Sequence, residues 1–200
     1  MNTHPYPKEL KKVIEQLKKL PGVGTKTAER FSFDLLSWDQ ENLVKLGHSL
    51  AQLKNLQKCQ ECGALEDQGK CPFCTSTFRD KKSICVLSSP REVFFLESTK
   101  AFNGLYHVLD GLLSPMDGKD ENSIGIEKLL SRIEKLNAKE IILAFESTLE
   151  GDATALYLKE ILQKYPLSLS RLAMGIPMGS SLEFIDSGTL SRALTHRQLF

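Results

Sequence analysis

The stretch "CQECGALEDQGKCPFC" places Cys59 and Cys62 as one pair and Cys71 and Cys74 as another, with eight residues between the pairs. Each Cys-x-x-Cys curls so that both sulfurs face one point, and the intervening residues reverse the chain to bring the pairs together. Four thiolates in a tetrahedron suit a structural Zn2+, one per chain, and leave no ligand position for water, so the free energy of metal binding serves folding. Gly63 and Gly69 permit tight turns, and Pro72 stiffens the second knuckle. Thiol-redox pairs and an iron–sulfur cluster are the alternatives, but two pairs at this spacing point to metal more specifically than a lone one. Residues 59–77 are otherwise Cys, Gly and polar side chains, too poor in apolar groups for a core of their own. Something else must hold the segment together. Cys85, in the apolar run "ICVL", reads as a core side chain.

The rest of the chain is ordinary in composition, 41% apolar and 26% charged over 200 residues, which suits one large or two small folded units rather than disorder. The net charge of +1 hides an uneven distribution. Residues 1–58 carry ten Lys/Arg against six Asp/Glu, and residues 80–200 carry fourteen against sixteen. A local positive excess favours contact with a phosphate backbone, an attraction that fades with salt. No run of eighteen apolar residues is present, and "MNTHPYPKELKK" lacks the apolar stretch of a secretion signal, so a cytoplasmic protein with no membrane contact is expected.

The chain divides into four segments. In residues 1–58, Leu10, Val13, Ile14, Leu17 and Leu20 form one helical face after Pro7 and Lys8; Pro21 and Gly22 stop it. Thr25 is expected to cap a second helix with Ala28, Phe31, Leu35 and Leu36 inward. Leu43, Leu46, Leu50, Leu53 and Leu56 make a third amphipathic helix. Residues 59–79 are the cysteine segment. In residues 80–175, "SICVL", "GLYHVLDG", "EIILAF" and "LSLSRLA" read as strands. Helical patterns alternate with them, one opening at Ser89, Pro90 and Glu92, one along Ile126, Leu129, Leu130 and Ile133, and one over "GDATALYLKEILQKY". Strands and helices alternating at this spacing indicate a mostly parallel α/β sheet, making the whole chain α+β. Residues 176–200 are an extension in which "LEFID" reads as an edge strand and Thr189 to Leu194 as a short helix.

"LPGVGTKTAERF" joins the first two helices by a very tight turn. Gly22 and Gly24 allow backbone angles closed to other residues and let another molecule approach the main chain, while Val23 tucks between the helices. The N–H groups of Gly24, Thr25 and Lys26 then point outward at a helix N-terminus, where a phosphate is well placed to accept them, with Lys26 and Arg30 supplying opposite charge. An αα-hairpin without any ligand is the plainer reading. The residues resemble the helix-hairpin-helix motif of proteins that bind DNA without reading its sequence.

At the carboxyl end of "EIILAF", where parallel sheets place their ligands, Glu146, Glu150 and Asp152 crowd together, and Thr148 and Thr154 add hydroxyls. Hard oxygens there suit Mg2+ held through waters; the competing role is capping of the next helix by Asp152 or Thr154. Residues 84–174 resemble a Toprim domain, the α/β module of topoisomerases, primases and certain repair proteins. In its metal-dependent members a glutamate ends the first strand and an acidic pair follows the third. Here Ser88 occupies the first position and Glu150 with Asp152 the second. Tyr106 falls inside a strand and Tyr157 inside a helix, neither a setting for a strand-cleaving nucleophile. No catalysis is expected, and a Mg2+-dependent nuclease or primase-like enzyme is the alternative, as is a zinc-bearing scaffold without DNA contact.

Taken in order, these modules and the ending "LAMGIPMGSSLEFIDSGTLSRAL" resemble the RecR family of bacterial recombination mediators over residues 10–197, with "LSPMDG" and "TLEGDAT" matching characteristic stretches. Three positions depart from the family pattern: Ser88 for glutamate, Glu146 for asparagine, and Ser180-Ser181 where glycine is frequent. The resemblance implies a non-enzymatic repair protein that acts with RecO, and in some settings RecF, helping RecA load at gapped DNA coated by single-strand-binding protein. It also implies a ring-like homo-oligomer, a dimer or tetramer, joined through the N-terminal and C-terminal regions. Lys11, Lys12, Lys18 and Lys19 with Lys26 and Arg30 would then line the basic DNA-facing surface, and Glu146, Glu150 and Asp152 would face a protein partner such as RecO.

Overall fold

Residues 1–55 and 56–200 fold as two separate units in a computed structural model that describes residues 6–173 and 175–197. Met174, which closes the Toprim-like stretch, and the first five residues, on which the reading of the chain's start partly rests, lie outside the described residues.

The first unit has three helices, α1 (Lys8–Leu17), α2 (Thr25–Leu36) and α3 (Gln40–Gln52), followed by a 3-10 turn at Leu53–Asn55. Its core is small: Leu10, Ile14 and Ala28 are buried, with Tyr6, Leu17 and Val23 packed against them. Ala28 and Ser32, one turn apart, form the buried stripe of α2, and the Ser32 hydroxyl donates to the Ala28 carbonyl at 2.8 Å. The expected inward face is therefore displaced. Phe31 and Leu36 are exposed, because small side chains at 28 and 32 rather than large ones occupy the contact. Nor does Thr25 cap α2. Gly24 is the N-cap, no side chain caps this end, and Thr25 is already the first helical residue. α3 is capped by Asp39, whose carboxylate accepts from the Asn42 N–H at 2.8 Å, but Leu43, Leu50 and Leu53 stay exposed. A unit of this size has too little interior to bury them all.

In the second unit, β1 (Gln57–Lys58) pairs antiparallel with β2 (Leu65–Glu66). Beyond them come β3 (Asp80–Leu87), α4 (Pro90–Ser98), β4 (Gly104–Val108), α5 (Ile126–Leu136), β5 (Glu140–Leu143), α6 (Leu149–Leu162), β6 (Ser168–Arg171) and α7 (Ser187–Thr195). The larger sheet has the order β4-β3-β5-β6 with every pairing parallel. Alternation along the central β3 sends neighbours to opposite faces. Ile84 and Val86 join Leu129, Ile133, Ile141, Leu158 and Leu162 in one core. Cys85 and Leu87 join Val93, Tyr106 and Val108 in the other.

That second core answers what holds the cysteine segment: Cys59, Cys62, Ala64, Cys71 and Phe73 pack into it. The Val108 N–H donates to the Cys62 carbonyl at 2.7 Å. Gly63, at φ +72°, lies so close to Val108 that a Cβ would meet its carbonyl oxygen at 2.6 Å. The knuckle is thus the cover of one sheet face.

"LEFID" is not an edge strand. Leu182–Phe184 form a 3-10 turn and Asp186 accepts the Thr189 N–H at 2.9 Å, so the chain is already bending into α7. No helix among the described residues is long and apolar enough to cross a membrane.

Candidate functional site

The four sulfurs of Cys59, Cys62, Cys71 and Cys74 lie within 4.8 Å of one another, with Cys62 and Cys71 3.5 Å apart. Tetrahedral zinc with bonds of about 2.3 Å sets its sulfurs about 3.8 Å apart, so the residues fit such an ion. Cys59, Cys62 and Cys71 are buried and Cys74 partly so. The Cys59 N–H donates to the Ala64 carbonyl, closing the first knuckle, and the Cys74 N–H points at the Cys71 sulfur at 3.5 Å. The thiols hold their protons unequally. Burial pushes Cys59 up to about 11, whereas the hydrogen bond from Cys62, reinforced by the charge of Arg132, draws Cys74 down to about 6. A metal displaces such protons, so uptake strengthens as pH rises. Cys85 is 2% exposed and faces the apolar core, as its sequence setting indicates.

Arg132 is a neighbour that the sequence did not flag. It approaches from α5, 58 positions beyond Cys74, and its guanidinium reaches the Cys74 sulfur at 3.4 Å. No spacing rule links the two.

In the first unit, Gly22, Gly24, Thr25, Lys26 and Arg30 are all exposed around the turn from α1 to α2. Gly22 has φ +79°, and the Val23 N–H donates to the Leu20 carbonyl, which folds the hinge back on itself. The first intrahelical bond of α2 runs from the Ala28 N–H to the Gly24 carbonyl at 2.9 Å. The amides ahead of it are those every helix leaves without an intrahelical acceptor, and here no cap covers them. They form a partly positive end that attracts anions. Lys11, Lys12, Lys18 and Lys19 are exposed on or just beyond α1. Lys12 pairs with Glu9 at 2.8 Å and Lys18 with Glu15 at 3.0 Å, and Lys19 bonds Gln16 at 2.9 Å. Among the described residues Lys11, Lys19, Lys26 and Arg30 form no ion pair, which leaves their charge unneutralised at close range. The Arg30 guanidinium lies 5.5 Å from the ring centre of Phe31.

The acidic stretch after β5 is arranged differently from its expected form. α6 begins at Leu149, not at Gly151, and its cap is Thr148, whose hydroxyl accepts the Gly151 N–H at 3.1 Å. Glu150, Gly151 and Asp152 are therefore helical. Gly151 serves close packing: a Cβ there would meet the Glu146 carbonyl oxygen at 2.1 Å. Thr154 is buried, donating to the Glu150 carbonyl and accepting the Leu113 N–H. The Asp152 carboxylate is bound by Arg171 at 2.7 Å and Arg192 at 2.9 Å, and Arg171 chiefly holds it below its usual range. Two guanidiniums thus take the oxygens that a Mg2+ site would use. Glu146 and Glu150 are exposed, and among the described residues no three carboxylates gather at one point. At the end of β3, Ser88 donates through its N–H and hydroxyl to Glu92 at 3.0 and 3.1 Å, inside the capping box of α4. Glu92 does not stand in for the missing glutamate, because its oxygens serve the helix start.

Comparison with known proteins bears on the same elements. Residues 10–54 match the family described as RecR, helix-hairpin-helix; residues 82–173 match the Toprim domain; and residues 175–198 match RecR, C-terminal. The fold and its site thus define a class, the non-catalytic proteins of DNA recombination assembled from a helix-hairpin-helix, a cysteine knuckle and a Toprim sheet. Recombination protein RecR of Protochlamydia amoebophila is 48% identical over 98% of this chain and 99% of its own length. That of Chlamydia pneumoniae is 48% identical over 98% of both chains, and that of Chlamydia trachomatis serovar D 42% over the same shares. The chain belongs to the RecR family, and its field of action is the repair of DNA by recombination.

Proposed function

We propose that this protein is a recombination mediator that grips DNA by its backbone and, with RecO and in some settings RecF, helps RecA load onto gapped DNA coated by single-strand-binding protein. The observation that carries this reading is the uncapped, exposed N-terminus of α2 beside Lys26 and Arg30. Such a site holds phosphates in register and leaves bases unread, which is what a protein acting at gaps of any sequence requires. Gly22, Gly24 and Thr25 shape the site. Lys11, Lys12, Lys18 and Lys19 broaden the positive field, with Lys11 and Lys19 contributing most because no carboxylate already pairs with them among the described residues, whereas Lys12 and Lys18 are paired.

Cys59, Cys62, Cys71 and Cys74 hold one Zn2+, which supplies a fixed cross-link and no chemistry. The exposed leucines of α3 meet a second copy of the chain, giving a dimer or tetramer in which residues 176–200 also take part. Glu146 and Glu150 offer an acidic face that repels phosphate and receives RecO, while Asp152 braces that face through its arginines. The test is reconstitution on gapped DNA covered by single-strand-binding protein. The chain together with RecO is expected to speed RecA filament growth, and no acceleration over RecO alone would remove the mediator reading.

A further inference from the structure

Arg132 sits in mid-α5 at 5% exposure, and among the described residues no carboxylate pairs with it. Its guanidinium donates to the Tyr106 carbonyl on β4, to Nδ1 of His107 at 3.4 Å and to the Cys74 sulfur at 3.4 Å. His107 offers no compensating charge. It is 3% exposed, and burial together with the nearby guanidinium holds its imidazole down to about 3, so it is neutral and accepts at Nδ1. A buried cation without an anion is strongly unfavourable, and burial of an unbalanced anion equally so. Four thiolates around a divalent ion carry a net charge of −2. Arg132 and that centre are each other's partner.

We propose that Arg132 is the outer positioning residue of the metal centre. Its charge offsets part of the centre's negative charge, its Nη2–H fixes the Cys74 thiolate, and its Nη1–H ties the same centre to the middle of β4. The inference rests on the four-cysteine zinc reading and adds to it a residue that contacts a ligand rather than the metal. Outer partners of this kind orient ligands and change metal affinity by about 10–100-fold when removed. The geometry also explains how a knuckle with little core of its own is locked to the sheet: metal, thiolate, guanidinium and β4 carbonyl form one continuous chain of contacts. Three other ion pairs join residues 58–79 to the sheet domain: Arg79 with Glu97 is part-buried, while Lys135 with Glu61 at 3.0 Å and Lys58 with Asp110 at 3.1 Å are at exposed positions. Exposed pairs of that sort contribute little.

The test uses the zinc-loaded protein in competition with a chromophoric chelator, and the cobalt-substituted protein for its thiolate-to-metal charge-transfer band. Arg132→Met is expected to bind zinc about 10–100-fold more weakly and to shift the cobalt band to lower energy, because a thiolate freed of its donor is more electron-rich. Arg132→Lys, keeping the charge but not the fork, is expected to recover part of the affinity. Lys135→Met removes a positive charge from the same helix and the same junction without touching sulfur, and is expected to match the wild type. Wild-type affinity and spectrum in Arg132→Met would overturn the proposal. Should that variant not fold, Arg132→Gln takes its place, and wild-type affinity there overturns the charge argument. A wild-type protein that takes up neither zinc nor cobalt brings down the metal reading itself, and Arg132 with it.

Discussion

Gly24→Ala separates folding from DNA binding more cleanly than loss of a charged residue. Gly24 has φ −81° and ψ 174°, angles that alanine adopts freely, and a Cβ built there meets nothing within 4 Å. Reduced freedom of the unfolded chain stabilises by about 0.4–1 kcal/mol, and loss of glycine's advantage over alanine at an N-cap costs about the same, so stability should stay within about 0.5 kcal/mol of wild type. The methyl nevertheless stands where a phosphate oxygen must approach the free amides. Losing one charge-assisted hydrogen bond, about 1.5 kcal/mol, weakens binding by about tenfold. Gly22→Ala is the contrast. It also finds open space, but φ +79° costs an alanine about 1–2 kcal/mol, so it should destabilise the hairpin. Urea unfolding followed by circular dichroism reads the first quantity, and fluorescence anisotropy with a labelled duplex at low salt reads the second. A Gly24→Ala protein that binds DNA as the wild type does would refute the docking geometry. One that unfolds as readily as Gly22→Ala would refute the account of the hinge.

Cys74→Ser should abolish stoichiometric zinc and lower the stability of residues 56–200 as a whole, because the knuckle shares the core of Tyr106 and Val108. Cys85→Ser, by contrast, should keep its zinc while losing about 1–3 kcal/mol for a buried hydroxyl, and elemental analysis with urea unfolding distinguishes the two. Asp152→Asn tests the paired carboxylate. Its depressed folded pKa means that the pair stabilises above the unfolded value of about 3.9 and that this contribution vanishes as pH falls through the lower folded value, so the variant should lack that part of the acid sensitivity. Glu150→Lys should weaken capture of RecO in a pull-down and leave DNA affinity intact or raised; an undiminished complex would move the partner surface elsewhere.

What the sequence revealed depended on how local the signal was. The four cysteines, the strand at "SICVL" and the helix opening at Ser89, Pro90 and Glu92 are written in short spacings, and the structure brings the sulfurs together, forms the strand and starts α4 there. The helix read from Gly151 onward begins earlier, at Leu149, because Gly151 lies within its first turn and lets the Glu146 carbonyl come close. Asp152 looked free for metal because its partners, Arg171 and Arg192, arrive from β6 and α7. Arg132 was invisible for the same reason. The leucines of α3 read as one amphipathic face, yet Leu43 and Leu50 are exposed, since periodicity reports an apolar face and not what covers it.

The slope of log affinity against log salt concentration, measured on two unrelated duplexes for the wild type and for Lys26→Ala/Arg30→Ala, tests most directly whether the α2 terminus holds the sugar-phosphate backbone. If each side chain neutralises one phosphate, the slope should become shallower by about 1.8, equally on both duplexes. An unchanged slope in the folded double variant, or a loss confined to one of the two sequences, would contradict it.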